Sequence, residues 1–417
     1  MSEAKKTQQP RAVDIVVFGA TGFTGQYVVQ YLRGTVQDKS IAISGRSADK
    51  LAALNRKLGT NYPVIVADVK DEESIVAMAQ QARVCLNCVG PYRFFGEPVV
   101  KACAAVGTHY LDICGEPEFI ERMEYLYDEQ ARQTGATIIS ACGFDSIPAD
   151  LGTMFTVKQF TNGQIPSSVE SFLQIKSGEA GTKVHFATFE SAVHGFASAG
   201  ELRDLRRKKG KVTVPVVGRK LKRPGMLPEW REDGHGYCIP FPGSDASIVR
   251  RSQQYLQAHG AEVQPVQYAA WFSLPSGFWT GVMMAAGTVF GALANFSFGR
   301  SLLLKFPELF TLGVFTHDGP TEEQMRATSF EMNFVAKGYT SAAAAEARGA
   351  PDVTVKTRVS GPEPGYVATP ICIVQCALAL IGNEGKVPRG VLTSATAFRH
   401  TDILQRLNGA GVKFEVL

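Results

Sequence analysis

The sequence predicts an α/β fold: a doubly wound parallel sheet joined to a second α+β domain that carries an apolar hairpin. Three observations support this expectation. Near the N-terminus a β-rich run leads straight into a glycine turn and a helical pattern. Strand-like and helix-like segments then alternate as far as about residue 150, as parallel strands with crossover helices do. Far along the chain, Val263 to Gly299 holds 37 residues without a charge or a histidine.

The first element is Val13-Asp-Ile-Val-Val-Phe18. It runs into Gly19-Ala-Thr21-Gly22-Phe23-Thr24-Gly25 and then an apolar helical pattern from Tyr27 to Leu32. Strand, glycine turn and helix form the setting of a dinucleotide fingerprint, here spaced G-x-x-G-x-x-G. In that reading Gly19 makes the tight turn, Gly22 lets the backbone approach a pyrophosphate, and Gly25 lets helix pack closely on strand. Thr21, Phe23 and Thr24 complete the loop, and the free N–H groups of the helix start face the phosphates. The sheet is therefore expected to be of Rossmann type, over residues 12–150.

The second strand, Ile41 to Ser44, ends in Gly45-Arg46-Ser47. An NAD-selective site would place an acid there to hold the ribose 2′-hydroxyl. Arg46 offers a cation instead, with Ser44 and Ser47 on either side, a set that suits a 2′-phosphate. The expected cofactor is NADP(H). Strand three, Val64 to Ala67, ends at Asp68 and Val69, expected beside the adenine. Strand four, Val84 to Val89, ends at Gly90, and ligands bind beyond the carboxyl ends of such strands. Asn87, Cys88, Val89 and Gly90 are accordingly expected beside the nicotinamide. A helix over 97–107, a strand over Tyr110 to Ile113, a helix over 118–134 and a strand over Thr137 to Ala141 continue the alternation.

Composition sets bounds. The chain has 417 residues, 45% hydrophobic and 20% charged, enough for a large core without staples. A net charge of +4 gives no case for a nucleic-acid binder. A mean hydropathy of −0.02 gives none for a polytopic membrane protein. Residues 1–11 hold no apolar core, so no secretory leader is expected, and the eight cysteines should be free thiols. Cys85 and Cys88 lie in an apolar run and read as small core residues; no metal site is expected.

At this point GATGFTGQ, SGRS, LNCVGPYRFFGEPVVKAC, YLDICGEPEF and CGFDSIPADLG stand together in order. YCIPFPGSDASIVRRSQ (237–253), LLLKFPELFTLG (302–313) and GPEPGYVATP (361–370) follow. With these motifs the chain resembles the saccharopine dehydrogenase-like oxidoreductases, most closely the animal-type members. That family also includes bacterial trans-acting enoyl reductases of glycolipid assembly. The resemblance implies an oxidoreductase and, through those reductases, a lipid-like substrate bearing an unsaturated or carbonyl group. True saccharopine-forming enzymes carry a G-x-G fingerprint, so the family name is not read as an activity.

Hydride chemistry also needs a proton donor. None of the twelve tyrosines has a lysine four positions later, so the Tyr-x-x-x-Lys arrangement of short-chain reductases is absent. The candidates follow successive strands: Tyr92, Asp112 with Glu116 nearby, and Asp145. Each also has a structural reading. Asp145 or Ser146 would cap a helix near Pro148, Asp112 and Glu116 would bond loop N–H groups, and Tyr92 would pack beside the nicotinamide. His185 and His194, around a β-rich run from Val184 to Val193, are further candidates for a proton donor or for core positions.

Residues 151–361 are expected to form the α+β domain, with strands over Val169 to Ile175 and Val184 to Phe189, and 362–405 to complete the nucleotide domain. Ala342 to Ala350 reads as a linker, and Ile371 to Ile381 as an apolar helix packing back on that domain. Residues 203–223 hold ten basic side chains and one acid, +9 in 21 residues. Such a run is a solvated loop or an attractor of anionic head groups. Gly277 to Phe298 is 22 apolar or small residues, followed by a second apolar run to Phe315. A buried helix, a true span and a hairpin dipping into one leaflet or a droplet monolayer are all open. The hairpin is carried forward, because both flanks belong to one fold.

The expectation is thus an NADP(H)-dependent oxidoreductase on a lipid-like substrate, contacting a lipid surface through 263–315 and 203–223. It would be intracellular and not secreted, on a lipid droplet or the cytosolic face of a membrane, with mitochondrial association and a homodimer also carried. The alternatives are a saccharopine-type amino-acid dehydrogenase and a lipid-surface binding protein with a non-catalytic nucleotide site.

Overall fold

The structure, a computed structural model, describes residues 11–210, 212–222, 227–228, 237–261 and 263–417. Six strands open the chain: β1 (Val13–Phe18), β2 (Ile41–Gly45), β3 (Val64–Val66), β4 (Ala82–Asn87), β5 (His109–Asp112) and β6 (Thr137–Ile139). Then come β7 (Ile165–Lys176), β8 (Val184–His185), β9 (Leu227–Pro228), β10 (Tyr237–Pro240), β11 (Gln267–Leu274) and β12 (Phe315–Thr316). β13 (Ser329–Tyr339), β14 (Val353–Pro362), β15 (Gly390–Leu392) and β16 (Lys413–Val416) complete them.

The first sheet is parallel throughout, in the order β15-β6-β5-β4-β1-β2-β3. Its central strands are mostly apolar because both faces are covered; Ile15, Val16 and Val17 are wholly buried. The crossovers supply the covering helices: α1 (Phe23–Thr35), α2 (Ala48–Leu58), α3 (Glu72–Gln81), α4 (Tyr92–Phe95), α5 (Glu97–Val106) and α6 (Pro117–Thr134). Winding reverses between β1 and β4, which opens a crevice at their carboxyl ends.

A seventh helix, α7 (Ser146–Val157), carries the chain to the second sheet, ordered β16-β14-β13-β7-β11-β10-β9. That sheet is antiparallel except where β7 meets β11. Phe330, Met332 and Phe334 alternate along β13 and turn inward. Gly152 of α7 lies under the Phe334 ring, so close that a Cβ there would stand 2.4 Å from Cζ. One apolar cluster therefore runs through both sheets, from Ile15, Leu86 and Ile139 to Leu173, Phe330 and Phe334. The helix Thr369–Gly382 belongs to it and packs on α1.

Past β8 come α8 (Phe186–Ala197), α9 (Ala199–Lys209), α10 (Asp245–Ala258), α11 (Gly277–Ala294) and α12 (Ser297–Lys305). Several expectations need correcting here. Only Val184–His185 of the supposed strand over 184–189 is a strand; the rest is α8, started by His185, whose ring Nδ1 accepts from Ala187 N–H. Phe186, Phe189 and Val193 follow helical spacing and meet Phe290, Ala294 and Leu303 of α11 and α12, so tertiary packing overrides their β preference. The basic stretch begins as helix α9, not as a loop, and three of its cations are paired: Arg206 with Glu121, Lys209 with Glu124, Arg207 with Asp204. Lys211 and Arg223 of that stretch lie outside the described residues.

The apolar hairpin is shorter than 263–315. Residues 267–274 form β11, an interior strand of the second sheet, and the hairpin proper is α11 with α12. The buried-helix reading is overturned, since only 11% of Gly277–Ala294 is buried. The supposed linker at 342–350 lies inside the connection from β13 to β14 and begins as the short helix Ala342–Glu346, capped by Ser341.

Candidate functional site

The crevice over β1, β2 and β4 is a cleft of about 290 Å³ lined by Gly19, Thr21, Arg46, Asp68, Val69, Val89 and Gly90, among others. Its floor is built by the glycine loop. Gly19 has φ +80°, a left-handed conformation, and a Cβ on it would strike Val89 Cγ2 at 2.6 Å. A Cβ on Gly25 would lie 2.2 Å from the Gly19 carbonyl oxygen. The backbone N–H groups of Gly19 and Ala20 donate to the Ser44 carbonyl, 2.9 and 3.1 Å, tying the loop to β2. Gly22 stands at the N-cap of α1, where no side chain caps the helix, so its first N–H groups face the cleft. The buried Ser44 hydroxyl has no hydrogen-bond partner. An uncapped helix start, glycines that tolerate no Cβ and an unpartnered hydroxyl suit a phosphate-bearing dinucleotide.

The other expected cofactor residues fall into groups. Arg46 is exposed on the cleft wall, while the Ser47 hydroxyl caps α2 by accepting from Lys50 N–H at 3.4 Å. The Asp68 carboxylate accepts from Lys70 N–H at 3.0 Å. Asn87 is buried and engaged at both ends, donating to the Tyr110 hydroxyl at 3.0 Å and accepting from Val89 N–H at 3.0 Å. It therefore shapes the Cys88–Gly90 turn from below. Cys88 is half-buried, and burial pushes its thiol up to about 12. Thr24 is half-buried on α1. Phe23 turns away from the cleft, stacking on His185 at 4.2 Å and meeting Tyr366 edge-on at 4.8 Å.

The three candidate proton donors occupy different surroundings. The buried Tyr92 hydroxyl donates to the Asn87 carbonyl at 2.8 Å and accepts from Ile113 N–H at 3.3 Å. Asp112, buried under the same strand ends, accepts from Tyr110 and Ser140 hydroxyls and from Cys114 and Ala141 N–H, all within 3.0 Å. Burial pushes its carboxyl up to about 6 against those four donors. The carboxylate thus clamps the turns after β5 and β6. Glu116 does the same for α4, accepting from Tyr92 and Arg93 N–H at 2.9 and 3.2 Å.

Asp145 differs. It is the N-cap residue of α7, yet its side chain makes no capping bond, contrary to the structural reading of it. Its φ is +75°, costly for a residue with a Cβ, and such strain collects at functional sites. Burial pushes its carboxyl up to about 7. Close by lies a residue the sequence did not expose: Asp245, at the start of α10, buried, with one carboxylate oxygen unpartnered. The two helix starts are joined by Ser146 and Ser244, whose hydroxyl oxygens are 2.9 Å apart. Burial, then the charges of Asp145 and Asp150, hold Asp245 far above the ordinary aspartate range. Ser-Asp ahead of a helical run was the available signal, but it reads as an ordinary cap.

Helix α8 closes this side. His185 at its start donates its N–H to the Tyr366 hydroxyl at 2.7 Å, while Phe189 and Val193 on the same helix hold α11 and α12. Arg93 donates to the His194 carbonyl at 2.5 Å, fixing α8 to α4. Burial and the neighbouring His317 lower His185, and burial with Arg93 lowers His194. The eight cysteines form no disulfide, and among the described residues no His, Cys, Asp and Glu cluster is arranged to hold a metal.

Comparison with known proteins places these features in context. The family description "Saccharopine dehydrogenase NADP binding domain" matches residues 15–139. The chain is 44% identical over 428 residues to the saccharopine dehydrogenase-like oxidoreductase of Mus musculus, covering 98% of each. It is 36% identical over 425 residues to a lipid droplet localized protein of Caenorhabditis elegans, covering 97% of this chain and 98% of that one. Among solved structures, apo saccharopine dehydrogenase (L-Glu forming) of Saccharomyces cerevisiae superposes with a TM-score of 0.57 at 13% identity. That match covers 97% of this chain and 100% of the yeast one, a likeness of fold.

Proposed function

The chain belongs to the saccharopine dehydrogenase-like oxidoreductases, with NADP(H) as its cofactor, and from that premise we propose that its substrate is a lipid-like molecule. That molecule carries an unsaturated or carbonyl group and is taken from a lipid surface. The observation that carries this reading is the placement of α8. His185 at its start stacks on Phe23 of the glycine loop and bonds Tyr366, and its Phe189 and Val193 hold the exposed apolar helices. Phe278 and Phe298 there are 74% and 78% exposed, with Trp279, Met283, Met284 and Phe296 beside them. A patch of this kind on a soluble chain marks an interaction surface. Arg203, Lys208, Arg219, Lys220 and Lys222 are exposed and available to anionic head groups. The name of the C. elegans relative agrees with a droplet surface as the site of docking.

When bound, the nicotinamide supplies or accepts the hydride. We assign the nucleotide unit to residues 12–150 and 362–405. Within it Arg46 and Ser44 would hold the 2′-phosphate ribose, the glycine loop would hold the pyrophosphate, and Val89 and Gly90 would bound the nicotinamide end. Asp145 holds the transferable proton at its carboxyl, because the Tyr92 hydroxyl and Asp112 are fully engaged in holding the turns. Flotation of the full chain with phospholipid-coated triolein droplets tests the reading. Wild type should float, a variant lacking Gly277–Phe298 should sink, and equal flotation of the two would refute it.

A further inference from the structure

A second cavity, of about 190 Å³, lies between α7 and α10, away from the nucleotide cleft. Its walls are mostly apolar: Met154 and Val157 from α7, Val249 and Leu256 from α10, and Val266 just before β11, with Thr153, Gln253 and Gln264 as polar exceptions. At its base, Asp150 and Ser252 are spent on each other and on their neighbours. The Ser252 hydroxyl donates to Asp150 at 2.6 Å, as do the Ser394 hydroxyl at 2.8 Å and Ala395 N–H at 2.7 Å. The base therefore offers no free polar group to a ligand.

The rim is the opposite. Lys158, Arg399 and His400 converge there, and among the described residues none of the three pairs with a carboxylate. The charged groups that face them are one another: Arg399 acts on Lys158, and both act on His400. Lys158 and Arg399 each stand at a helix C-terminus, which favours a cation. That preference accounts for each cation singly, but not for an apolar cavity opening between them. Unpaired cations around an apolar hole are complementary to an anionic head on an apolar tail.

We propose that this cavity binds a single-chain acyl carboxylate, its chain against Met154, Val157 and Leu256 and its carboxylate between Arg399 and Lys158. The volume lies below the about 300–1,000 Å³ usual for drug-sized ligands, which suits one modest chain and excludes a diacyl lipid. None of these residues lines the nucleotide cleft, so the cavity is distinct from the cofactor site.

Calorimetric titration of the full chain with decanoate, decanol and decyl phosphate, each below its micelle concentration, tests the assignment. Decanoate should bind with one equivalent, and decanol about tenfold more weakly. Leu256→Trp, which fills the cavity, should abolish the decanoate signal, and Arg399→Glu with Lys158→Glu should weaken it about tenfold or more. Titration of each variant with NADPH, expected to match wild type, shows that it is folded and keeps failure here distinct from failure of the cofactor site. Equal affinity for decanol and decanoate, unchanged decanoate binding in Leu256→Trp, or the absence of any decanoate signal would overturn the proposal. Tighter binding of decyl phosphate than of decanoate would overturn the carboxylate head.

Discussion

Phe23, in the middle of the glycine loop, lies flat on His185, the residue that starts α8, with ring centroids 4.2 Å apart and planes 16° from parallel. Tyr366 closes on the same ring edge-on, and its hydroxyl accepts from His185 N–H at 2.7 Å. The glycine loop is thus held by the module that carries the exposed apolar helices.

Phe23→Ala removes this grip without touching the cleft wall. An aromatic pair of this kind is worth about 0.5–1.5 kcal/mol. The loop should lose order, and the dissociation constant for NADPH should rise about two- to tenfold in a fluorescence titration. An unchanged constant would show that the loop is rigid by its own backbone.

Arg46→Ala should separate the two nicotinamide cofactors. Loss of a charge-assisted contact costs about 1.5–3 kcal/mol, so NADPH affinity should fall about ten- to a hundredfold. NADH affinity should stay as it was. Equal losses for both cofactors would place the Arg46 side chain away from the 2′-phosphate.

Asp145 gives a pH dependence of known sign. Its carboxyl is raised from 3.8 to about 7, so the proton-carrying form is lost as pH rises through 7. Turnover in the reductive direction should fall above that pH, and Asp145→Asn should be slow and flat across the range. Stability follows the same direction. The contribution of this group is full below the ordinary aspartate range and is lost as pH rises through about 7. Thermal melting should therefore show Asp145→Asn gaining over wild type at pH 8 but not at pH 3.

Glu121 tests the anchoring of α9. It is buried and accepts from Arg206, Arg250 and Ser247. The Arg206 and Ser247 bonds hold its carboxyl down at about 2 despite burial. Glu121→Ala should cost about 2–3 kcal/mol in urea unfolding, less than the about 3–5 for a fully buried pair because both arginines are partly exposed. The wild-type contribution is present above the ordinary glutamate range and disappears as pH falls through it toward 2.

Phe278→Asp with Phe298→Asp should weaken droplet flotation by about a hundredfold or more, each phenyl ring being worth about 1.5–3 kcal/mol on transfer from water. Both side chains are exposed, so melting temperature should barely move. A matched loss of stability would mean that these rings pack within the fold.

What the sequence revealed and what it hid divide along a physical line. Gly19 and Gly25 were legible because their demands are local: a left-handed turn and a helix against its own strand. The alternation of strands and helices through Ile139 was legible for the same reason. Asp245 was not, since its meeting with Asp145, a hundred residues earlier, exists only once α7 and α10 have packed. Phe189 and Val193 suggested a strand because their intrinsic preference is for one; helices distant in sequence decided otherwise. The uncharged run at 277–298 announced something unusual, but whether it faced protein or surroundings depended on the rest of the fold.

Gly152 gives way to Phe334, and through that seam the two sheets share a single interior. That shared interior is larger than the cluster either sheet keeps on its other face, so heat should melt both together. A nucleotide bound at one end then stabilises every element that belongs to that interior, including those from which the exposed apolar helices spring. Occupancy of the cofactor cleft should accordingly be readable at the far end of the molecule, as slower proteolysis of α11.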